Sequence, residues 1–303
     1  MKYIHMIAAA LIFVSCEFDF ELDGMDTEPL MHIEATLHQN CDEDLPYAIQ
    51  AVRAIADEER VRLKDFSLKA YVNSELADSY SSGEPFDRLS GKLDLKILKP
   101  GDRIRIEAHG EGCSSISAET VMPDSWNNLE MHVSRISPES IELRIRFKDN
   151  PDTEDYYGLG LSVESFIGDR ISSVTSVALR GPSVDGNGYA SFGEMRVSYT
   201  GPRSRLINIC NDHGFNGKEK EMVFIADCLE STDTERRQYS VLAYKLSPEM
   251  YRYAVARFDS SPWNNSLGFM GLSPVTFTYT NIQGGLGVLA CVNAMTYGPY
   301  PVP

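Results

Sequence analysis

Apolar and polar residues alternate along much of this chain. The clearest case runs from Ile141 to Phe147, where every second residue is apolar and the residues between are charged. Because successive side chains of a strand point to opposite faces, a period of two predicts half-buried β-strands. The same alternation recurs in four other segments: Ile104–Ile106, Met131–Val133, Met195–Tyr199 and Val275–Tyr279.

Turn-forming residues separate these segments. Clusters of Pro, Gly, Asn and Asp lie at 99–102, 149–152 and 185–188, and such residues favour reverse turns. Many short strands punctuated in this way predict a mainly all-β fold. We expect an N-terminal immunoglobulin-like β-sandwich, followed by a larger β-sandwich or barrel-like domain with one short helix.

One segment departs from the period of two. Ser247, Pro248 and Glu249 supply a helix N-cap, a first-turn proline and a first-turn acid. Apolar residues then recur at helical spacing, which predicts a helix packed on the C-terminal sheet. Its apolar face comprises Met250, Tyr253, Ala254 and Phe258. A second candidate helix, Ala48–Glu59, is amphipathic only in part.

A boundary between two domains is predicted near 122–128. The length of 303 residues is compatible with two domains. This segment carries a proline and several polar residues, and a new strand pattern begins soon after it. We therefore assign residues 31–124 to an N-terminal β-sandwich domain and residues 125–303 to a C-terminal β-rich domain.

The first sixteen residues have the pattern of an export signal. After a positive start at Lys2, an apolar run extends from Ile7 to Val14. It is too short to span a bilayer, which needs about 20 residues, so residues 1–15 are predicted to be a signal peptide. Phe-Val-Ser-Cys, ending at Cys16, resembles a bacterial lipobox, in which the cysteine is acylated; leucine is usual where phenylalanine stands. An ordinary secreted protein with a chance cysteine is the alternative.

Residues 16–30 would then form a lipid-anchored acidic tether. Acidic and apolar residues alternate from Glu17 to Asp23. The segment resembles the acidic export tag that follows the lipidated cysteine in Bacteroidota surface lipoproteins. This resemblance implies attachment to the outer membrane through the lipid anchor, with the protein facing the cell exterior. A simple spacer between the lipid and the first domain is the alternative.

The net charge excludes some partners. The chain has 28 Lys and Arg against 44 Asp and Glu, which gives a formal charge of −16. Binding to nucleic acid needs clustered positive charge that neutralises phosphates, so we expect no nucleic-acid partner. The acidic balance also disfavours a polybasic contact with anionic lipid.

Five cysteines follow Cys16. In an exported protein they can form at most two disulfides, and the candidate pairs are Cys210 with Cys228 and Cys41 with Cys113. Free buried thiols are the alternative. No Cys-x-x-Cys spacing occurs, so the sequence does not support a zinc knuckle or a thioredoxin-like redox site.

Motifs for catalysis or metal binding are nearly absent. The chain has no His-Glu-x-x-His and no Gly-x-Ser-x-Gly. His32 and His38 share a predicted strand face but are six positions apart. Asp149–Asp155 and Asp185–Gly188 lack the ordered ligands of an EF-hand, so we interpret both as solvated turns. We therefore predict no catalytic residues, no cofactor and no metal ligands, although a carboxylate pair for glycoside hydrolysis stays open among 44 acids.

Glycines and aromatics near the C-terminus have structural interpretations. The segment from Gly285 to Ala290 fits a dinucleotide-binding pattern in form, but no βαβ unit surrounds it, which favours a tight turn. Gly284, Gly285 and Gly287 permit positive φ and close backbone approach, and we predict a structural turn there. Aromatics in two further segments either close a sandwich core or act as contact anchors: Trp263–Ser266 and Tyr297–Pro301.

Several segments resemble a known family. The stretches 247–253, 212–219 and 281–287, the last reading Asn-Ile-Gln-Gly-Gly-Leu-Gly, resemble Bacteroidota lipoproteins that carry domain of unknown function 4249. Residues 155–157 and 118–123 match that family as well. The resemblance implies an exported accessory protein that binds an unknown ligand or assists a TonB-dependent transporter, without catalytic residues to carry over. A cell-surface adhesin or structural protein and an extracellular hydrolase are the alternatives.

Overall fold

The structure is a computed structural model. It describes residues 29–39, 45–52, 62–95, 97–180, 193–198, 204–229, 231–232, 234–259 and 279–301. In chain order the strands are β1 (Leu30–His38), β2 (Leu45–Val52), β3 (Lys64–Val72), β4 (Glu75–Ser82), β5 (Arg88–Leu93), β6 (Arg103–Glu111), β7 (Ile116–Val121), β8 (Glu130–Ser137), β9 (Ser140–Lys148), β10 (Tyr156–Ile167), β11 (Arg170–Val177), β12 (Gly193–Ser198), β13 (Ser204–Asn211), β14 (Glu219–Asp227), β15 (Arg236–Leu246) and β16 (Leu286–Pro301). One helix, α1 (Pro248–Asp259), is found in the described ranges, so the predicted mainly all-β fold is confirmed.

Four of the five alternating segments form strands where the structure describes them. Those at 104–106, 131–133 and 141–147 lie in β6, β8 and β9, and 195–198 lies in β12. Of the fifth predicted strand, residues 275–278 lie outside the described residues. A strand with one face on a core and one toward solvent needs alternating polarity, and β9 shows it with alternately buried and more exposed residues.

The largest sheet has nine strands in the order β12-β13-β10-β15-β16-β1-β2-β5, with β11 paired to β10 beside this path. Its β1 lies between β16, to which it is parallel, and β2, to which it is antiparallel. Strands from both sides of residue 124 therefore share this sheet. The division of the chain into domains at 124 and 125 stays a prediction.

Two smaller sheets pack against one face of the large sheet. The sheet β4-β3-β6-β7 encloses a first core with β1 and β16, and the sheet β14-β9-β8 encloses a second core with β10 and β15. Along β16, Leu289 and Cys291 contact the first core and Tyr297 contacts the second. Because these three residues are spaced by even numbers along a strand, both cores lie on the same face.

The helix covers the opposite face of the large sheet. Met250 and Ala254 are buried against alternate residues of β15 and β16, and Tyr253 is half-buried there. The Met250 amide donates to Ser247 Oγ at 3.3 Å, which confirms the predicted N-cap. Phe258 lies in the helix, but its side chain is outside the described residues.

The second helix prediction, Ala48–Glu59, is wrong where the structure describes it. Residues 48–52 belong to β2, which pairs with β1 and with β5. Pairing with two strands of a large sheet outweighs a weak helical periodicity, because backbone hydrogen bonds on both sides satisfy the whole segment.

A glycine turn sets the start of β16 against β1. Gly284 and Gly287 have φ values of 75° and 101°. A Cβ atom on Gly287 would lie 1.9 Å from the carbonyl oxygen of Ile33, and one on Gly285 would lie 2.5 Å from that of Met31. The backbones approach so closely that residues with a side chain do not fit.

Candidate functional site

The structure brings three buried aspartates together. Asp149 follows β9, Asp155 precedes β10 and Asp212 follows β13. Their exposed fractions are 1%, 7% and 0%, and one carboxylate oxygen of each lies within 4.8 Å of the others. The interpretation of Asp149–Asp155 as a solvated turn is therefore wrong at both of its ends, while residues 151–154 are exposed.

Strand pairing explains how Asp155 and Asp212 meet. In the antiparallel pair of β10 and β13, Tyr156 lies opposite Asn211, so the next residue outward on each strand faces the other. The Asp155 amide donates to Asp212 Oδ2 at 2.7 Å. The Asp212 amide donates to the carbonyl oxygen of Asp155 at 3.1 Å. These two hydrogen bonds at the end of the sheet fix the positions of Asp155 and Asp212 relative to each other.

Asp149 joins two turns. Its Oδ1 accepts a hydrogen bond from the Tyr157 hydroxyl at 2.5 Å, and its Oδ2 accepts one from the Gly217 amide at 2.7 Å. Gly217 has a φ of 72°, and a Cβ atom there would lie 2.8 Å from Pro151 Cβ. The turn after β13 therefore needs glycine at position 217, whose backbone amide donates the hydrogen bond to Asp149.

Lys245 supplies a buried positive charge. It lies opposite Tyr157 in the pair of β10 and β15, and its side chain is 1% exposed. Its Nζ is 2.5 Å from Asp155 Oδ2 and 3.0 Å from Asp124 Oδ1. The same Nζ lies 4.6 Å from the centre of the Tyr157 ring. A buried ammonium is stable only with such partners, so these contacts determine where it can lie.

The electrostatics single out Asp212. Burial raises the pKa of its carboxyl group; the hydrogen bond from the Asp155 amide opposes this shift, and the charges of Asp149 and Asp155 add to it. No described residue donates a hydrogen bond to Asp212 Oδ1. Burial, followed by the hydrogen bond to Asp149, raises the pKa of Tyr157, so its hydroxyl stays a donor.

Aromatic rings form an apolar wall beside the cluster. Trp126, from the predicted domain boundary, packs on Phe147 and Tyr157 with ring centroids 4.7 and 4.6 Å away. Phe215, in the turn after β13, packs on the same two rings at 5.7 and 6.0 Å. The three carboxylates beside the Tyr157 ring are themselves buried, and an environment of low polarity strengthens the interactions between their charges.

The histidine pair and the disulfide that the sequence left open do not form in the described residues. His32 and His38 are both on β1, and six strand residues span about 20 Å, too far for a shared ion. Cys210 and Cys228 are free thiols, so no disulfide joins them. Cys113 is also free, and its candidate partner Cys41 lies outside the described residues.

Several predictions concern parts of the chain that the structure does not describe. These are the signal peptide, Cys16, most of the acidic tether, Asp185–Gly188 and Trp263–Ser266. Tyr297 and Tyr300 are partly buried against the second core, which favours the core-closing interpretation over contact anchors. Among the described residues, no helix has the length and apolar character that crossing a membrane requires.

Sequence reasoning did not identify the aspartate cluster. Its members come from separate strand ends, with no local spacing that a motif search detects. Two segments that carry the family resemblance, 155–157 and 212–219, nevertheless meet at this cluster. The presence of both segments in the family resemblance was the one feature of the sequence that pointed to this cluster, although neither segment indicates which ligand it would bind.

A match to a family model identifies the family of this chain. The model described as "Domain of unknown function (DUF4249)" matches residues 17–297. The chain belongs to this family. The match confirms the resemblance to domain of unknown function 4249, while the bacterial group and the lipid anchor stay predictions. No curated protein matches the chain.

Solved structures share only a distant likeness with this DUF4249 protein. Native α-L-rhamnosidase from Aspergillus terreus is 12% identical with a TM-score of 0.31, over 72% of this chain and 27% of that one. A β-glucuronidase from Parabacteroides merdae is 10% identical with a TM-score of 0.22, over 73% and 23%. The major pilin SpaA from Corynebacterium diphtheriae is 10% identical with a TM-score of 0.23, over 71% and 62%. The chain spans about a quarter of the two enzymes' length, and these likenesses carry no argument about function.

Proposed function

We propose that this DUF4249 protein is a non-enzymatic, lipid-anchored outer-membrane protein. It faces the cell exterior and binds a ligand or assists a TonB-dependent transporter in nutrient uptake. The observation that carries the proposal is the lipobox-like sequence ending at Cys16, directly followed by an acidic segment and then by a β-rich chain. The family to which the chain belongs is described as a domain of unknown function, so membership specifies neither an anchor nor a ligand.

The position of β1 supports a tethered role. Residues 16–29 separate the candidate lipid anchor from β1, which gives a reach of at most about 50 Å. The strand that follows is paired on both sides, with β16 and with β2. A force on the N-terminus is therefore spread over two rows of backbone hydrogen bonds instead of an edge strand. Confinement near the membrane also raises the effective concentration of the protein toward an integral partner.

The geometry of the aspartate cluster favours a non-enzymatic role for it. In a glycosidase the two carboxylates flank the scissile bond and must reach the substrate. Asp149 and Asp212 are 1% and 0% exposed, and Lys245 and Tyr157 already contact the carboxylates. A polymer cannot approach these oxygens without unfolding the turns around them.

Lipid attachment is tested with an alkynyl fatty acid fed to cells that make the protein. We expect label on the wild-type chain and none on Cys16→Ser, which should also leave the membrane fraction, because several acyl chains are needed for stable anchoring. Cys113→Ser is the matched control, since it removes another thiol and should keep the label. Unchanged labelling of Cys16→Ser would contradict the proposal.

The transporter partner is tested by cross-linking in intact cells followed by mass spectrometry. We expect a TonB-dependent barrel among the cross-linked proteins. With a net charge of −16, an interface with basic loops should weaken as salt is raised. Capture of fimbrial subunits instead would favour an adhesin, and turnover of glycan or peptide substrates by the purified protein would favour a hydrolase.

A further inference from the structure

The charges around the aspartate cluster do not balance. Asp124, Asp149, Asp155 and Asp212 carry four negative charges when ionised, and Lys245 contributes one positive charge through its ion pairs with Asp124 and Asp155. Neither Asp149 nor Asp212 forms an ion pair within the described part of the chain. No ion pair therefore neutralises these two buried carboxylates, whose hydrogen bonds come from backbone amides and the Tyr157 hydroxyl.

Asp212 gives a second, independent sign of a missing positive group. Its side chain is fully buried, and its Oδ1 accepts no hydrogen bond from any described residue. Its Oδ2 is held by the Asp155 amide, and the carboxylate has an oxygen within 4.8 Å of oxygens of Asp149 and Asp155. The group is therefore directed into the cluster. A buried carboxylate is tolerated only when it is paired, protonated or bound to a metal.

We propose that Asp149, Asp155 and Asp212 bind one calcium ion. Calcium takes oxygen ligands at about 2.3–2.6 Å, so two ligands of one ion lie at most about 5 Å apart. One carboxylate oxygen of each aspartate lies within 4.8 Å of the others, which satisfies that limit. The ligand set contains no nitrogen or sulfur, which disfavours zinc. Calcium is favoured over magnesium because it accepts irregular coordination, and hydrogen bonds already fix these carboxylates.

Lys245 sets the expected affinity. Its Nζ is 2.5 Å from Asp155 Oδ2, so the ion shares that carboxylate with an ammonium and is repelled by it. We therefore expect weak binding, with a dissociation constant of about 10⁻⁴–10⁻³ M, the range of extracellular calcium modules. Bound calcium joins the turn at Asp149 to the turn at Asp212 and holds the two strand ends together.

The first experiment uses terbium as the probe and the whole mature chain as the protein. The Trp126 ring lies 4.6 Å from the Tyr157 ring, whose hydroxyl is 2.5 Å from Asp149 Oδ1. Terbium in the cluster should therefore emit when tryptophan is selectively excited. In a Trp263→Phe background, which leaves Trp126 as the sole tryptophan, we expect saturable emission with one ion per chain, displacement by calcium, and loss of most of the signal when Trp126→Phe is added. Emission that is unchanged in Trp126→Phe would overturn the proposal, because the ion would then lie elsewhere.

The second experiment measures the melting temperature with calcium and with a chelator. At a hundredfold excess over the dissociation constant, calcium should raise the melting temperature of the wild type by about 5 °C. Asp212→Asn keeps an acceptor for the Asp155 amide and should lose this rise. Asp152→Asn removes the same charge from an exposed position of the neighbouring turn and should keep it.

Two results contradict the proposal in this experiment. One is a wild type whose melting temperature does not respond to calcium, which would leave a bound proton on Asp212 as the explanation of its burial. The other is an equal rise in the wild type and in Asp212→Asn. If Asp212→Asn does not fold, the terbium titration of Trp263→Phe with and without Trp126→Phe decides the question.

Discussion

The two cores on the same face of the large sheet are built differently. The first core is mainly aliphatic, with side chains from β1, β3, β6, β7 and β16. The second contains an aromatic group that includes Trp126, Phe147 and Phe215. All charged residues that are buried in the described part of the chain lie beside this second core: Asp149, Asp155, Asp212 and Lys245. Burial of apolar surface suffices for the first core, whereas the second also depends on charge pairing.

Polar side chains of β15 and β16 attach the segment at 123–125 to the large sheet. Asn293 lies opposite Lys245 in the pair of β15 and β16. The side-chain amide of Asn293 donates hydrogen bonds to the carbonyl oxygen of Pro123 and to Ser125 Oγ, both at 3.2 Å. Lys245 forms an ion pair with Asp124. The segment predicted as a domain boundary is therefore attached to the large sheet by side-chain contacts. The segment connects β7 of one small sheet to β8 of the other.

The largest expected effect concerns the turn at the edge of the first core. Gly287→Ala should cost more than about 4 kcal/mol of unfolding free energy, because the new Cβ would lie 1.9 Å from the Ile33 carbonyl oxygen. Gly168→Ala is the control, with a φ of 62° but no atom within 4 Å. It should lower the unfolding free energy by only about 1–2 kcal/mol, which is the cost of placing a residue with a side chain in the left-handed region. Equal losses in a denaturant titration would contradict the close approach.

Lys245→Met tests the charge pairing beside the second core. It leaves Asp155 buried without its cation, so we expect a loss of about 4 kcal/mol in the same titration. Arg103→Met removes a charge from the exposed pair with Glu119 on the other small sheet and should cost less than about 1 kcal/mol. If both variants lose equally little, the buried pair does not stabilise the second core.

A truncation in the first core tests whether the two cores unfold together. Leu68→Ala should cost about 3 kcal/mol, since Leu68 is 2% exposed. In a Trp263→Phe background, Trp126 reports on the second core by its fluorescence. Because the two cores share a sheet, the Trp126 transition should move to lower denaturant in Leu68→Ala. A transition that does not move would support two independently folding domains on either side of residue 124.

The smallest effect is the pH dependence of Asp212 in the presence of a chelator. Burial raises its pKa in the folded state above the ordinary value of 3.8. At a pH between the ordinary pKa and the raised pKa, the folded state holds more protons than the unfolded state. The protonated Asp212 carboxyl therefore stabilises the folded state fully below the ordinary pKa, and this stabilisation is lost as pH rises through the raised pKa. The unfolding free energy of the wild type minus that of Asp212→Asn should therefore decrease from acidic to neutral pH. A constant difference would show that Asp212 titrates normally.

Local sequence patterns predicted most elements for a clear reason. The alternation in β9 and the N-cap of α1 each report on contacts within a few residues, and those contacts survive in any fold that buries one face. The segment at 48–52 shows the limit of this reasoning. Its weak helical pattern lost to strand pairing with residues that are distant in sequence.

The sequence by itself determined that the protein is mainly β, where the helix after Ser247 begins, and which family the chain belongs to. Only the tertiary structure decided that β1 and β16, from the two ends of the chain, are neighbours, and that three aspartates from separate strand ends share a buried cluster. The physical reason is that burial of a charge depends on what packs around it. An aspartate in a turn is solvated or enclosed according to chain segments that its own neighbours in sequence do not specify.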